Sequence, residues 1–279
     1  MFRNAQIAVV VPAYNEGRHI AATLRSMPAY VDHVIVVDDG SGDDTARCAL
    51  ALADADPRLC VLRHAQNAGV GAALRTGYLQ ALALGAEVVA VMAGDGQMHP
   101  EDLPALLAPV VSGQADYAKG NRLAHPEVLR RMPWTRLLGN QALSLLTRLA
   151  TGLPVHDSQC GYTALHRRVA EQLPWHAIWT GYGYPNDLLG KLQLLDARVC
   201  DVVVRPVYAD EQSGIRLRHA LVVVPYVLLR VLHARVRRAL SGTRSLPLVR
   251  LARAFGITRG AQPEEPSARE RAELRSWPS

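Results

Sequence analysis

The run VIVVDDGSGDDT, residues 34–45, carries the pattern that decides the fold. Its first four residues, all β-branched, predict a buried strand, and the glycines that follow Asp38 and Asp39 predict a tight turn. Asp43 and Asp44 then stand where helix N-caps belong, before an Ala/Leu-rich stretch. A strand that leads through such a turn into a helix is one half of a βαβ unit, so we expect the flanking sequence to repeat it.

The same alternation of strand and helix patterns extends through the first 111 residues. Apolar runs predict strands at 7–11, 34–37, 59–63 and 88–92, and periodic runs predict helices at 17–26, 45–53, 71–84 and 101–111. Strands rich in Val and Ile, each separated by a helix, predict an α/β protein with a Rossmann-like, mostly parallel sheet flanked by helices. In such sheets ligands bind beyond the carboxyl ends of the strands.

Polar clusters follow three of the predicted strands, at residues 12–16 (PAYNE), 38–42 (DDGSG) and 94–97 (GDGQ). Three carboxylates, Asp38, Asp39 and Asp95, would then share one crevice and repel one another unless hydrogen-bond donors or a hard cation lay between them. A nucleoside or a divalent cation on phosphate oxygens meets that need. Capping and turn formation explain any one cluster equally well, but three clusters at successive strand ends favour a binding site.

A fourth cluster, residues 67–77 (NAGVGAALRTG), opens the helix after the third strand. Small residues at a helix start, such as Gly71 after Asn67, permit close backbone approach, and exposed N–H groups there favour anions. The chain lacks both GxGxxG after its first strand and the GxxxxGK[ST] loop. Hydride transfer and ATP hydrolysis are therefore disfavoured.

The ordered segments VVVPAYNE (9–16), VVDDGSGDDT (36–45), NAGVGAALRTG (67–77) and GDGQMHP (94–100) resemble the motifs of family 2 glycosyltransferases with the GT-A fold. Within that family the chain is most similar to the polyprenyl-phosphate sugar transferases, the dolichol-phosphate mannosyltransferase group. The similarity runs from about residue 7 to residue 213. It implies a nucleotide-diphosphate sugar donor, linked to UDP or GDP, and Mg²⁺ or Mn²⁺ as cofactor.

The resemblance also assigns roles to residues of the donor site. Residues that match Pro12, Tyr14 and Glu16 line the nucleotide pocket, the match to Asp38 recognises the base, and Asp39 supports the same pocket. We add Asn67 and Gly71 to this nucleotide-sugar site because of their place at the helix start.

The metal motif of the family, DxD, is only partly present. Asp95 matches its second carboxylate and Gln97 is positioned to add a ligand, but Ala93 occupies the first position. A metal site would therefore consist of Asp95, Gln97, phosphate oxygens and water. Mg²⁺ accepts few protein ligands, so such a site remains feasible.

Acceptor binding is assigned to two arginines, Arg122 and Arg136, which resemble family residues that hold an acceptor phosphate. Guanidinium groups bind phosphate through paired hydrogen bonds. A phosphate acceptor is already ionised and needs no general base, whereas a hydroxyl acceptor needs one. Asp157 is our choice of base for a hydroxyl, although a carboxylate at this position also suits a helix or turn cap.

The net charge of +6 is concentrated near the C-terminus. Residues 212–263 contain ten arginines and no acidic residue, which indicates an anionic partner. Apolar residues at 221–229 favour a lipid headgroup surface over nucleic acid. An amphipathic helix packed on its own domain explains the pattern equally well. Helical spacing predicts separate basic and apolar faces, formed by Arg230, His233 and Arg237 and by Leu228, Leu232 and Val236.

The 279 residues divide into a catalytic domain (1–213), a basic amphipathic helical segment (214–258) and a flexible tail (259–279). No apolar run reaches the 18–20 residues that span a bilayer. The N-terminus lacks the features of a signal peptide, and four scattered cysteines argue against a disulfide framework or a zinc site. These observations predict a cytoplasmic protein, peripheral at the inner membrane face.

The sequence as a whole predicts an inverting glycosyltransferase that moves a sugar from a nucleotide-diphosphate sugar to a polyprenyl phosphate. A first alternative is the same fold acting on a soluble hydroxyl acceptor such as a natural product. A second is a non-catalytic nucleotide-sugar binding protein, since Ala93 replaces an expected carboxylate.

Overall fold

The computed structural model describes residues 1–207 and 222–241. Met1–Arg237 form one compact unit, and the second unit, Arg238–Ser279, is described only over residues 238–241. The domain boundary predicted at residue 213 and the predicted tail at 259–279 lie outside the described residues. The predicted basic segment 214–258 is described over 222–241.

A seven-stranded sheet in the order β3-β2-β1-β4-β6-β5-β7 forms the centre of the molecule. Its strands are Ile7–Ala13 (β1), His33–Asp38 (β2), Leu59–Arg63 (β3), Val88–Val91 (β4), Tyr117–Asn121 (β5), Thr163–His166 (β6) and Val199–Val203 (β7). All neighbouring pairs are parallel except those that involve β6, which is antiparallel to β4 and β5. The predicted mostly parallel α/β sheet is confirmed.

The helices are Ile20–Arg25 (α1), Thr45–Ala53 (α2), Val70–Ala83 (α3), Leu103–Val111 (α4), Val128–Arg131 (α5), Trp134–Thr151 (α6), Arg167–Ala170 (α7), Tyr184–Leu194 (α8) and Val224–Leu240 (α9). The predicted helices differ from these mainly at their ends. The first begins at Ile20 instead of Gly17, and a 3₁₀ turn, Pro100–Asp102, precedes α4. Strand β1 runs two residues further than predicted. Pro12 is tolerated there because the β4 ladder ends at Val10.

Hydrophobic clusters cover both faces of the sheet, and every residue of β1 is buried. Val9 and Val11 face a cluster with α1 and α4, whereas Val10 faces a second cluster with α3 and α8. Helix α3 lies very close to the sheet at Gly77, where a Cβ atom would stand 2.2 Å from Val10 Cγ1. A strand buried on both faces explains why its sequence is continuously apolar.

One edge of the sheet collects the segments that the sequence singles out. The parallel strands β1, β2, β4 and β5 all end there, and the reversed β6 begins there, so residues 157–162 reach the same edge from the opposite chain direction. The sheet therefore brings the segments after β1, β2 and β4 next to those before β6.

Helix α9 is the described part of the basic segment. Its buried residues Val224, Val227, Leu228 and Val231 pack with Ala150 of α6. The predicted faces are partly wrong: Leu228 is buried while Leu232 and Val236 are exposed. Arg230 donates a hydrogen bond to the Ala177 carbonyl at 2.9 Å, because α9 packs this side against the domain. Within the two described ranges, no helix combines the length and apolarity that crossing a bilayer requires.

Candidate active site

A cavity of about 730 Å³ opens at this sheet edge. Its walls include most of the predicted site residues, from five separate segments of the chain: Pro12, Tyr14, Glu16, Asp39, Asn67, Asp95, Gln97 and Arg122. The remaining four, Asp38, Gly71, Arg136 and Asp157, are not part of the walls. The structure thus brings the motifs predicted to bind the donor, and one arginine predicted to bind the acceptor, into a single pocket.

Hydrogen bonds join the loops after β1 and β2 beside the cavity. Asn15 N donates to Ser41 Oγ at 2.9 Å, and Glu16 N donates to Thr45 Oγ1 at 2.8 Å. Asn15 adopts a left-handed backbone with φ 58°, which asparagine tolerates better than most residues. The bonds hold Tyr14 and Glu16 in place at the cavity wall.

Asp39 joins the end of β2 to the loop before α3. Its Oδ1 accepts hydrogen bonds from His64 Nδ1 at 2.7 Å and from Ala68 N at 3.0 Å. Its Oδ2 accepts from Gly69 N at 2.8 Å. A carboxylate that accepts three bonds is well satisfied, so Asp39 holds the loop that carries Asn67 against the cavity.

Asp38 lies behind the cavity wall and is fully buried. Its Oδ1 accepts a hydrogen bond from Ser41 N at 3.1 Å, and Arg63 Nε lies 3.0 Å from Oδ2 without hydrogen-bond alignment. Arg63 is also the β3 partner of Asp38 in the ladder. The structure therefore gives Asp38 contacts to its own turn and to β3, and does not bring it to the wall where the predicted contact with a base would form.

Asp95 and Gln97 form a short turn on the cavity wall, in which Gln97 N donates to Asp95 Oδ1 at 3.0 Å. Gly96 in this turn has φ 74°, a conformation that glycine adopts readily. The two side chains offer oxygen ligands, which Mg²⁺ and Mn²⁺ prefer. Across residues 1–207 and 222–241, no three His, Cys, Asp or Glu side chains group as a metal site. The turn therefore fits a metal that takes further ligands from a bound diphosphate.

Arg122 is held by Asp157. Arg122 Nε and N lie 2.8 and 3.1 Å from Asp157 Oδ2, and a terminal nitrogen lies 3.1 Å from Oδ1. The Asp157 side chain is fully buried. Burial alone would raise the pKa of Asp157, but the charge and hydrogen bonds of Arg122 outweigh it and lower the pKa. The paired contact fixes the guanidinium at the cavity wall.

This geometry disfavours the role predicted for Asp157 as a general base. Both its oxygens are engaged by Arg122, it is absent from the cavity wall, and its lowered pKa makes it a weak proton acceptor. The structure instead favours Asp157 as the residue that positions Arg122. Arg136 lies on α6, is partly exposed and is not part of the wall.

The prediction that the N–H groups at this helix start are available to an anion is wrong for Gly71. The N–H donates to the Thr180 carbonyl at 2.7 Å. A Cβ atom at this position would stand 2.2 Å from the Trp179 carbonyl oxygen. Glycine is required because residues 179–181 pass directly over the start of α3, and Gly181 of this segment lines the cavity.

Comparison with known proteins agrees with this arrangement. Residues 8–173, which extend from the second residue of β1 to beyond β6 and include most of the cavity wall, match the family described as Glycosyl transferase family 2. The chain is a family 2 glycosyltransferase. Its relatives include the polyprenol monophosphomannose synthase of Mycolicibacterium smegmatis, 33% identical over 76% of this chain and 83% of that protein.

Two further relatives of this glycosyltransferase differ in the acceptor that their names describe. The UDP-N-acetylglucosamine–dolichyl-phosphate N-acetylglucosaminyltransferase of Methanococcus voltae is 32% identical over 60% of this chain and 72% of that protein. The crystal structure of glucosyl-3-phosphoglycerate synthase from Mycobacterium tuberculosis, in complex with UDP, superposes with a TM-score of 0.63. The two sequences are 26% identical, and the match covers 82% of this chain and 81% of the synthase chain. The GT-A fold predicted for the chain is confirmed.

Three residues that sequence reasoning missed support the site of this glycosyltransferase. Arg205 lines the cavity just after β7, where its Nη1 donates to Glu101 Oε2 at 2.7 Å. Buried Lys119 donates to the Cys160 carbonyl at 2.6 Å, and burial lowers its pKa. His64 orients Asp39. Arg205 shares one signal with the predicted residues, since it follows a strand that ends at the same edge.

Proposed function

We propose that this glycosyltransferase moves a sugar from a nucleoside-diphosphate donor to a polyprenyl phosphate, with inversion at the anomeric carbon. The observation that carries the proposal is the Arg122 guanidinium, fixed at the cavity wall by paired contacts to buried Asp157. A rigid guanidinium is suited to bind a phosphate monoester. The acceptor would thus be held by its phosphate.

A phosphate acceptor needs no general base, which agrees with the fact that two carboxylates at the site are occupied by other contacts. The second pKa of a phosphate monoester is about 6, so it is ionised near neutral pH and attacks without a general base. Asp39 is occupied by three hydrogen bonds, and Asp157 is occupied by Arg122. Two of the carboxylates at the site thus serve to hold loops and side chains.

The relatives support the same acceptor class. The Mycolicibacterium smegmatis protein is named for polyprenol and the Methanococcus voltae protein for dolichyl phosphate. Both names describe a sugar joined to a phosphorylated polyprenol.

The proposed donor is a sugar linked to UDP or GDP. Residues Pro12, Tyr14, Glu16 and Asn67 would contact the nucleotide. The related phosphoglycerate-glycosylating enzyme was crystallised with UDP. Asp95 and Gln97 would hold Mg²⁺ or Mn²⁺ together with diphosphate oxygens, and the metal, when bound, would neutralise the charge of the leaving nucleoside diphosphate.

In the proposed reaction an acceptor phosphate oxygen bonds the anomeric carbon while the bond from that carbon to the diphosphate oxygen breaks. Attack from the face opposite to the leaving group inverts the anomeric configuration. No proton is transferred to or from the acceptor. Arg122 orients the attacking phosphate, and Asp157 keeps Arg122 in the conformation that this requires.

A soluble acceptor is the second candidate. It is favoured by the similarity to glucosyl-3-phosphoglycerate synthase across 82% of this chain. Such an acceptor would react through a hydroxyl and would need a base. We propose the polyprenyl phosphate first because Asp157, the base foreseen for a hydroxyl, is engaged by Arg122.

For location we propose the cytoplasmic side of the membrane, with peripheral attachment. The basic segment 214–258 would contribute through its arginines, because a positive segment is attracted to anionic headgroups. No nucleic acid partner is proposed.

The test is a panel of UDP-, GDP- and TDP-sugars with Mg²⁺ or Mn²⁺. Release of nucleoside diphosphate is measured with polyprenyl phosphate, with 3-phosphoglycerate, and without acceptor. We expect one donor to give release that polyprenyl phosphate stimulates, and glycolipid product by mass spectrometry. Stimulation by 3-phosphoglycerate alone would replace the first candidate by the second. Binding of a donor without release under any condition would instead identify a non-catalytic protein.

A further inference from the structure

Helix α6 carries its large apolar side chains on the outside. Trp134, Leu138, Leu145 and Leu149 are 72%, 55%, 48% and 65% exposed. We call these four residues the α6 stripe. Their spacing of four, seven and four residues places them on one face of the helix. The opposite, buried face consists of Ser144, Thr147, Ala150 and Thr151. This is the reverse of the usual arrangement in a globular protein.

The inward, polar face of α6 is satisfied by hydrogen bonds, and one of them, from Ser158, leaves the helix and fixes its orientation. Ser144 Oγ accepts from Ser158 N at 2.9 Å. Thr147 and Thr151 donate their hydroxyls to carbonyl groups one turn earlier, each at 2.7 Å. Rotating the helix to bury the stripe would break the bond between Ser158 N and Ser144, whereas the two threonine bonds lie within α6 and would persist. The leucines therefore face outward because the polar side is anchored.

The charge beside the stripe is mainly positive, and the carboxylate next to it, Glu127, pairs with Arg131 at 2.9 Å. Residues 128–151 contain four arginines and no acidic residue. Arg130 and Arg131 are exposed on α5, beside Leu129, which is 78% exposed. Arg136 and Arg148 are partly exposed on α6 itself. An apolar stripe flanked by arginines matches a surface that is anionic on the outside and apolar beneath.

Helix α9 adds a second outward apolar row. Tyr226, Leu229, Leu232 and Val236 are 57%, 66%, 39% and 45% exposed. They recur every three or four residues, so they also share one helical face. Helix α9 packs on α6 through Ala150 and has no acidic residue between positions 224 and 240. Two contacting helices thus both present apolar rows to the outside.

We propose that the α6 stripe docks on an anionic lipid bilayer. The four side chains enter the boundary between headgroups and acyl chains, and the neighbouring arginines contact lipid phosphates. A large exposed apolar surface marks an interaction site. A second copy of this chain is a poorer partner, because it would bring two acid-free, arginine-bearing faces together and their like charges would repel.

The docked helix would be connected to the acceptor side of the cavity. Ser144 on the buried face of α6 contacts Ser158, which follows directly after Asp157, the residue that holds Arg122. This inference rests on the proposed function, because docking would serve to bring the enzyme to a lipid-linked acceptor. Vesicle binding itself is measured without donor or acceptor, so the two proposals fail separately.

The experiment is co-flotation of the full chain with vesicles of phosphatidylcholine alone or of phosphatidylcholine and phosphatidylglycerol in equal parts. The wild-type chain is expected to float with the anionic vesicles and to be released by high salt. The double variant Leu145→Gln, Leu149→Gln should reduce the partition coefficient roughly tenfold or more. The matched control is Leu50→Gln, Leu79→Gln, which changes two leucines on α2 and α3 that are 53% and 44% exposed. It should bind like the wild type.

A second measurement identifies the face that is inserted. Trp134 is 72% exposed in water, so brominated phospholipids in the vesicles should quench part of the tryptophan fluorescence. The quenched part should be absent in Trp134→Phe. Circular dichroism and thermal unfolding establish that each variant folds.

Three outcomes would overturn the proposal. One is equal vesicle binding by the stripe variant and the wild type, which would assign binding to another part of the chain such as segment 214–258. Another is unchanged quenching in Trp134→Phe. The third is a dimer that the stripe variant abolishes, together with no vesicle binding, which would assign the face to a second copy. Vesicle binding without sugar transfer to polyprenyl phosphate would keep this inference and reject the proposed function.

Discussion

At the scale of single residues, the proposed binding of the acceptor phosphate depends on the contact between Arg122 and Asp157. The carboxylate is fully buried and its pKa is lowered by the guanidinium, after burial alone would have raised it. Removing one partner of a buried pair leaves the other without compensation and typically costs about 3–5 kcal/mol. Both the position of Arg122 and the local stability therefore depend on this one carboxylate.

We expect Asp157→Asn to raise the KM for polyprenyl phosphate by roughly tenfold or more, because Arg122 loses its fixed position. The KM for the donor should change little. The pH dependence of kcat/KM should keep its shape, since a positioning residue transfers no proton. Kinetics over a pH series measure all three. If the wild type shows a fall in kcat/KM at low pH and the variant does not, Asp157 acts as the base instead.

Asp95 is the carboxylate on which the proposed metal binding depends, because Ala93 stands at the neighbouring motif position. We expect EDTA to abolish transfer and Mg²⁺ or Mn²⁺ to restore it. Asp95→Asn should need at least about tenfold more metal for half-maximal activity, since a charged ligand becomes neutral. Asp54→Asn, at the exposed end of α2, is the matched control. Full activity of Asp95→Asn at low metal would remove Asp95 from the site.

The packing of secondary-structure elements explains where glycine is needed. At Gly71 a Cβ atom would meet the Trp179 carbonyl at 2.2 Å, whereas at Gly139 on α6 nothing lies within 4 Å. Gly71→Ala should therefore shift residues 179–181, lower stability by about 1–3 kcal/mol and raise the KM for the donor. Gly139→Ala should raise stability by about 0.5–1 kcal/mol, because alanine favours a helix interior. Denaturant unfolding distinguishes the two, and equal effects would contradict the packing argument.

Asp116 joins β5 to β7 and α7 through Arg198 and Arg168. Burial alone would raise its pKa, but the hydrogen bonds of Arg198 and the charge of Arg168 lower it to about 2. A carboxyl whose pKa is depressed on folding contributes stability above its unfolded pKa of about 4, and loses it as the pH falls toward 2. Because both arginines are half-exposed, we expect a contribution of roughly 1 kcal/mol.

The variant Asp116→Asn tests this acid dependence. It should lower stability at pH 7 and flatten the decline of the unfolding free energy between pH 4 and pH 2. Thermal unfolding at a series of pH values measures both effects. A decline as steep as in the wild type would assign the acid dependence to other carboxylates.

At the scale of the whole molecule, the strands of the first half and the edge where they end follow from the sequence. Long Val/Ile runs have few alternatives in a sheet covered on both faces, so the ends of β1 to β4 are predicted to within two residues. The convergence of Asp39 and Asp95 on one cavity follows from the same topology.

The sequence pattern could not predict the direction in which individual side chains point. Asp38 and Asp39 are adjacent and chemically identical, yet only Asp39 lines the cavity, because Arg63 and Ser41 contact Asp38 behind it. The partner of Asp157 is equally hidden, since Arg122 lies 35 positions earlier. The outward leucines of α6 run against the rule that apolar residues face inward, and only the contact with Ser158 explains them.

The reversed strand β6 has a consequence for biosynthesis. Strand β4 pairs with β6 and not with β5, so the partner of Val91 is Thr163. While the ribosome extends the chain between these positions, one side of an apolar strand has unmatched backbone amides and carbonyls. We expect such a nascent chain to be prone to aggregate until the reversed strand emerges.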